Sequence, residues 1–181
     1  MEPLHYRFWP KGVPYEVTIP QTSLYYNLEV SARRYPNKRA LSYYGTGLTY
    51  QRLHAEVEAL AGYLQKGCGV KKGERVLLYM QNSPQFIIAY YAILRADAVV
   101  VPSNPMNLTE EMRHYVQDAG IATAVCAADL FPRIEPLMGE GGLKRVIAAQ
   151  YADYVTEPTD IPVPDYVRER VSLPVKDGVR E

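Results

Sequence analysis

From Glu74 onward the chain alternates short apolar runs with helical periods. Arg75–Met80 is an apolar run of strand length. Asn82 or Ser83 then caps a helix with Pro84 in its first turn. That helix, about residues 84–96, is apolar nearly all round: Phe86, Ile87, Ile88, Ala89, Tyr90, Ala92, Ile93 and Leu94. Such a pattern predicts burial between two layers. Ala98–Val101 reads as the next strand. Thr109 reads as a cap with Glu110 and Glu111 in the first turn, where negative charge suits the helix dipole. Ala122–Ala127 follows as a third strand, residues 129–138 as a helix, and Arg145–Ala149 as a fourth strand. Buried strands alternating with helices predict an α/β fold. Its sheet is mostly parallel, with helices on both faces and right-handed crossovers.

The first third reads differently. Residues 1–22 carry Pro3, Pro10, Pro14 and Pro20 and predict an irregular N-terminal arm, with Phe8 and Trp9 anchoring it to the body. Ser23 caps a helix with Leu24, Leu28 and Ala32 at helical spacing, ended by Tyr35-Pro36-Asn37. Two β-prone pieces flank Gly45-Thr46-Gly47 and predict a hairpin. Thr49 caps a second helix whose stripe is Leu53, Val57, Leu60, Ala61 and Leu64, and Gly67 and Gly69 stop it. Asp97 must reverse the chain between the apolar helix and the strand at Ala98, so a left-handed backbone is expected there. The α/β unit is thus read as 23–151. Residues 152–181, with three prolines in TEPTDIPVPD, read as a linker.

Composition narrows the function. The 181 residues carry 20 Lys plus Arg and 20 Asp plus Glu, a net charge of zero, which gives no reason to expect nucleic acid as a partner. No apolar run is long enough for a membrane span, and the N-terminus has no signal-peptide apolar region. Cys68 and Cys126 have no metal-ligand spacing, and His5, His54 and His114 are far apart. No metal site is expected, and both thiols fit a cytoplasmic location. Sixteen tyrosines against three phenylalanines suit half-buried packing positions better than an aromatic substrate channel.

Nucleotide motifs are missing. The first parallel strand runs into Gln81-Asn82-Ser83-Pro84, which has no glycine and no lysine. That disfavours a dinucleotide loop and a Walker-type phosphate loop. A phosphoacceptor aspartate would need the carboxyl end of a strand. Asp97 precedes its strand, and Asp129 follows one only after Ala127-Ala128. The loop 103–107 does follow a strand's carboxyl end, where open α/β sheets place ligands. Ser103, Asn104 and Asn107 are the candidate cofactor-binding residues, with a plain turn as the alternative.

Leu48-Thr49-Tyr50, Gly69-Val70-Lys71-Lys72-Gly73-Glu74-Arg75-Val76, Gln81-Asn82-Ser83, Ala98–Pro102, Asn104-Pro105 and Asp118-Ala119-Gly120 succeed one another over about residues 24–149. In that order and spacing the chain resembles the front part of the adenylate-forming (AMP-binding) acyl-CoA synthetases. The resemblance implies part of that family's large N-terminal domain. It also implies an acid–CoA ligase using ATP, Mg2+ and coenzyme A on a carboxylic acid, a fatty acid being the expected substrate. Adenylation turns a poor electrophile into a mixed anhydride, which needs phosphate-cradling backbone and a cation.

The family's Ser/Thr/Gly-rich phosphate loop, Tyr-Gly-x-Thr-Glu segment, ribose-binding Asp and C-terminal Lys have no matching position here. No catalytic residue is carried over. The resemblance places those parts beyond Glu181, with residues 152–181 leading into the remainder. It implies that the 181 residues alone are inactive and self-associate through an exposed sheet edge or apolar face. Two departures stand out: Asp97 where relatives commonly have Gly, and Met106 where some carry a basic residue after Asn-Pro. A stand-alone α/β binding module and an unrelated doubly wound domain are the alternatives.

Overall fold

The computed structural model describes residues 3–181. Each helix cap expected at a hydroxyl in the first half is present. Ser23 Oγ accepts the Tyr26 N–H at 3.4 Å and opens α1 (Leu24–Arg34). Thr49 Oγ1 accepts the Arg52 N–H at 3.2 Å and opens α2 (Tyr50–Lys66). Ser83 Oγ accepts the Phe86 N–H at 3.2 Å and opens α3 (Pro84–Arg95), with Pro84 at its first position.

Between α1 and α2 lies the hairpin β1 (Arg39–Tyr43) and β2 (Thr46–Thr49). Its turn is Tyr44-Gly45, at φ 42° and 88°, rather than the expected Gly45-Thr46-Gly47. Two consecutive left-handed residues match the twist of tight hairpins. Thr46 is needed in the strand, where its buried hydroxyl accepts the Thr156 and Glu157 N–H groups at 2.9 and 3.2 Å.

Five parallel strands form the main sheet in the order β4-β3-β5-β6-β7. They are β3 (Arg75–Tyr79), β4 (Val99–Ser103), β5 (Thr123–Ala127), β6 (Arg145–Ala149) and β7 (Val179–Arg180). Apart from Thr123 at the start of β5, the buried residues of the inner strands β3 and β5 are apolar or aromatic, as strands covered on both faces require. Edge strand β4 leaves Val99 46% exposed and carries Pro102, which a sheet tolerates at an edge. Crossing from β3 to β4 goes one way and from β4 to β5 the other. Right-handed connections therefore put α3 and α4 (Thr109–Asp118) on opposite faces. The α/β class with a parallel sheet, a leading helix and a hairpin is the architecture observed.

Three further local expectations are corrected. Thr109 does not cap α4: Leu108 occupies that position, and the Glu111 carboxylate reaches back to accept its N–H at 2.5 Å. The helix expected over 129–138 is broken into a 3-10 turn (Ala128–Leu130), one α-turn (Phe131–Ile134) and another 3-10 turn (Glu135–Leu137). Pro132 and Pro136 cannot donate the N–H groups a continuous helix needs. Phe8 does not anchor the arm, being 88% exposed. The arm's aromatic rings meet each other instead, Tyr6 to Tyr15 at 4.4 Å and Trp9 to Tyr15 at 6.1 Å.

Residues 152–181, read above as a linker, lie against the body. Val167 is fully buried, and β7 extends the sheet beside β6. Asp97 has φ 60°, the left-handed conformation expected of it.

Candidate ligand crevice at the carboxyl ends of the strands

Ligands of open parallel sheets sit beyond the strands' carboxyl ends, where the strand order reverses. In this chain the reversal lies at β3, which has β4 on one side and β5 on the other. The loop after β4 is built as a self-contained turn. Asn104 Oδ1 accepts the Met106 N–H at 2.9 Å, and Asn107 Nδ2 donates to Ser103 Oγ at 3.2 Å. The Ser103 hydroxyl lies 3.2 Å from Met112 Sδ of α4.

Two residues that the pattern analysis passed over hold this loop from below. Tyr79, fully buried at the end of β3, donates its hydroxyl proton to Asn107 O at 2.5 Å. Arg133 Nη1 donates to Pro105 O at 2.8 Å and lies 3.2 Å from Asn107 O and 3.3 Å from the Tyr79 hydroxyl. A guanidinium carrying two loop carbonyls makes the 103–107 conformation a supported one. No local sequence signal marks Arg133, because the contact joins residues 26–28 apart across two strands.

Ser103 and Asn104 line a cleft of 310 Å³ together with Met80, Gln81, Asn82, Phe86, Pro102 and Pro105. Asn107 is not part of its wall. The structure thus brings Ser103 and Asn107 together by a hydrogen bond, and Ser103 and Asn104 together on the cleft.

Across the sheet from this loop, the Gln81 N–H donates to the Tyr151 hydroxyl at 2.7 Å. Burial pushes the Tyr151 hydroxyl pKa well up, so the hydroxyl stays neutral. Asp129, two residues past β5, has a buried Oδ1 with no hydrogen-bond partner. Burial raises its carboxyl pKa, while its own and the Leu130 backbone N–H and the charge of Arg133 oppose the rise.

These groups include neither a glycine-rich phosphate loop nor a phosphate-binding lysine. The turn after β3 commits Ser83 to capping α3 and offers neither glycine nor lysine. Among the described residues no group of three or more His, Cys, Asp or Glu side chains could hold a metal ion.

The family model for "AMP-binding enzyme" matches residues 28–172. The chain belongs to the AMP-binding enzyme family. Over 156 residues it is 31% identical to a long-chain-fatty-acid–CoA ligase of Bacillus subtilis (strain 168), covering 86% of this chain and 28% of that protein. It is 32% identical over 149 residues to a long-chain-fatty-acid–CoA ligase of Salmonella typhimurium, covering 82% and 27%. Among solved structures, a long-chain-fatty-acid–CoA ligase from Archaeoglobus fulgidus superposes with a TM-score of 0.67 at 26% identity, covering 74% of this chain and 28% of that one. The chain spans little more than a quarter of the length of these relatives. Among the described residues no helix is long and apolar enough to cross a membrane.

Proposed function

We propose that this AMP-binding family chain is the N-terminal segment of an ATP-dependent acid–CoA ligase acting on a fatty acid. The reaction is carboxylate plus ATP to acyl-adenylate and pyrophosphate, then acyl transfer to the thiol of coenzyme A, with Mg2+ assisting the first step. The observation that carries this reading is identity of 31–32% to long-chain-fatty-acid–CoA ligases across more than four fifths of the chain. The segment's part is structural: it supplies the parallel sheet and the supported β4 loop. Ser103, Asn104 and Asn107 are polar groups that this loop offers at the ligand end of the sheet. Two free cysteines, both buried, support a cytoplasmic setting. Self-association of the 181 residues follows from the apolar groove between α2, α3 and the β5–β6 face.

The test compares the whole open reading frame that carries this segment with the 181-residue chain. The whole product is expected to release AMP only when a long-chain acid and coenzyme A are both present. The 181 residues are expected to give no acid-dependent ATP–pyrophosphate exchange above a protein-free control. A whole product without acid-dependent AMP release defeats the ligase reading, and exchange by the 181 residues defeats the assignment of chemistry to other parts.

A further inference from the structure

At the amino ends of the strands, opposite the β4 loop, a cleft of 190 Å³ opens between the end of α2 and the starts of β6 and β7. Arg145 and Arg180 both line it, with Tyr63, Cys68 and Asp177. Arg145 commits only Nε to the protein, at 3.3 Å from Thr123 Oγ1. Arg180 commits only Nη1, at 2.7 Å from Val179 O. Among the described residues the other guanidinium N–H groups of both have no partner. Among the described residues neither arginine makes an ion pair within 4.0 Å. Asp177 also lines the cleft, and its Oδ1 accepts the Gly178 N–H of its own turn at 3.0 Å, so one carboxylate stands against two guanidiniums there.

Both arginines share the cleft with the Cys68 thiol. Burial holds the Cys68 thiol above its ordinary pKa, and Arg145, Tyr63 and Arg180 work against that rise. Two guanidiniums against the single carboxylate of Asp177 leave the lining of the cleft net positive, which favours an anion.

The walls of the cleft are fixed by close approaches. A Cβ on Gly178 would lie 2.3 Å from Lys144 O, and one on Gly67 would lie 2.5 Å from the Tyr63 ring. Gly178 also has φ 80°. Bare backbone at these two points lets β7 close onto β6 and lets the Tyr63 ring approach the end of α2.

We propose that this cleft binds a phosphate group between Arg145 and Arg180. Two guanidinium forks match a tetrahedral anion carrying about −1.5 to −2 charge at neutral pH better than a single carboxylate. The cleft is smaller than the roughly 300–1,000 Å³ of sites that enclose drug-sized ligands. It therefore takes the phosphate and leaves the body of any larger molecule outside. The inference rests on the arginines alone and does not depend on the ligase reading.

The 181-residue chain is titrated calorimetrically at constant ionic strength with inorganic phosphate, glycerol phosphate and succinate. Saturable one-to-one binding of phosphate or the phosphomonoester is expected, with succinate weaker. Arg145→Gln and Arg180→Gln should each weaken it about tenfold or more, the loss of a charge-assisted contact. Lys38→Gln, outside the cleft, should not change it. Arg180 is exposed at a strand end, so its variant keeps the fold even where Arg145→Gln does not. Tighter binding of the ester identifies a phosphate carried on a larger molecule, and equal binding identifies the free ion. Absence of saturable binding, binding unchanged in Arg180→Gln, or succinate binding as tightly as phosphate would overturn the proposal.

Discussion

The side-chain amide of Gln150 closes a two-way hydrogen-bonded ring with the backbone of Val171. Its Nε2 donates to Val171 O at 2.8 Å, and its Oε1 accepts the Val171 N–H at 3.0 Å. Gln150 is 3% exposed. The pair ties residues 152–181 to the end of β6, and the carbonyl of Gln150 accepts from Gln85 Nε2 of α3 at 2.5 Å. Replacing Gln150 with Leu leaves two backbone groups of Val171 without partners. The expected cost is about 2 kcal/mol, in the range for unsatisfied buried groups. Urea unfolding measures it, and amide exchange at Val167 and Val171 should speed up while β3 and β5 stay protected. Unchanged exchange at Val171 would mean that the ring does not hold the segment.

That ring shows where reading the sequence stops. The caps at Ser23, Thr49 and Ser83, and the limits of β6, are local: a hydroxyl one residue before a periodic run, or a short β-rich run, carries its own signal. The hairpin was legible, but its turn was not, because Tyr44 adopts a left-handed backbone that glycine usually takes. Residues 129–138 carried a helical apolar pattern that Pro132 and Pro136 override. The β4 loop was found from its place after a strand. Its supports, Tyr79 and Arg133, were not, because both reach it across the sheet. Likewise TEPTDIPVPD has a linker's composition. Its docking depends on distant acceptors such as the Thr46 hydroxyl.

A second cluster responds to acid. Glu58 on α2 accepts the Tyr25 hydroxyl of α1, and Arg95 Nε at the end of α3 lies 2.7 Å away. The Arg95 guanidinium also sits 5.5 Å from the centre of the Tyr25 ring. Burial alone would raise the Glu58 carboxyl pKa, but the Tyr25 hydroxyl and Arg95 outweigh it and hold the group below its ordinary value. A depressed folded-state pKa adds stability that is fully present above the unfolded value and is lost as pH falls through the folded one. Glu58→Gln should therefore be less stable than the parent at pH 7, and the gap should close on acidification below about pH 4. Glu58 is 38% exposed, so solvent screening keeps the effect small. Denaturant midpoints of both proteins from pH 7 to pH 3 measure it. A gap that widens with acid contradicts the assignment.

The association proposed for the 181 residues would use the groove between α2, α3 and the β5–β6 face. The groove of 340 Å³ between α2, α3 and the β5–β6 face has Leu60, Ile88, Val125 and Ile147 in its walls. Carboxylates of Glu56 and Asp153 stand at its rim. Ile88 and Val125 lie at the buried floor of the groove and Leu60 and Ile147 are half-buried, so a partner would have to enter the groove to cover them. Light scattering should show mass rising with concentration. Leu60→Glu, which adds a charge beside Glu56, should shift the population toward monomer. A monomer over a hundredfold concentration range in the parent chain would reject the groove as a contact surface.

The turn at Asp97 offers a change toward greater stability. Its N–H donates to Leu94 O and the Ala98 N–H to Ile93 O, both at 3.1 Å. These are the two bonds of a helix ending through a left-handed residue. The Asp97 carbonyl also accepts the Gly73 N–H at 2.8 Å, joining the turn to the start of β3. All three bonds use backbone atoms, so the carboxylate contributes to none of them. It also places negative charge at a helix carboxyl end, where the dipole disfavours it. With φ at 60°, a Cβ costs roughly 1–2 kcal/mol, which Asp tolerates better than most residues and glycine avoids. Glycine gives back about 0.4–1 kcal/mol by loosening the unfolded chain. The balance for Asp97→Gly is neutral to stabilising by up to about 1 kcal/mol. Asp97→Val, with a branched Cβ in the same conformation, should lose more than 1 kcal/mol, marked ~1–3 for a strained backbone site. Denaturant unfolding of the three proteins orders them as Gly at or above Asp, and Asp above Val. A glycine variant that unfolds clearly earlier would assign the Asp97 carboxylate a role in the fold beyond this turn.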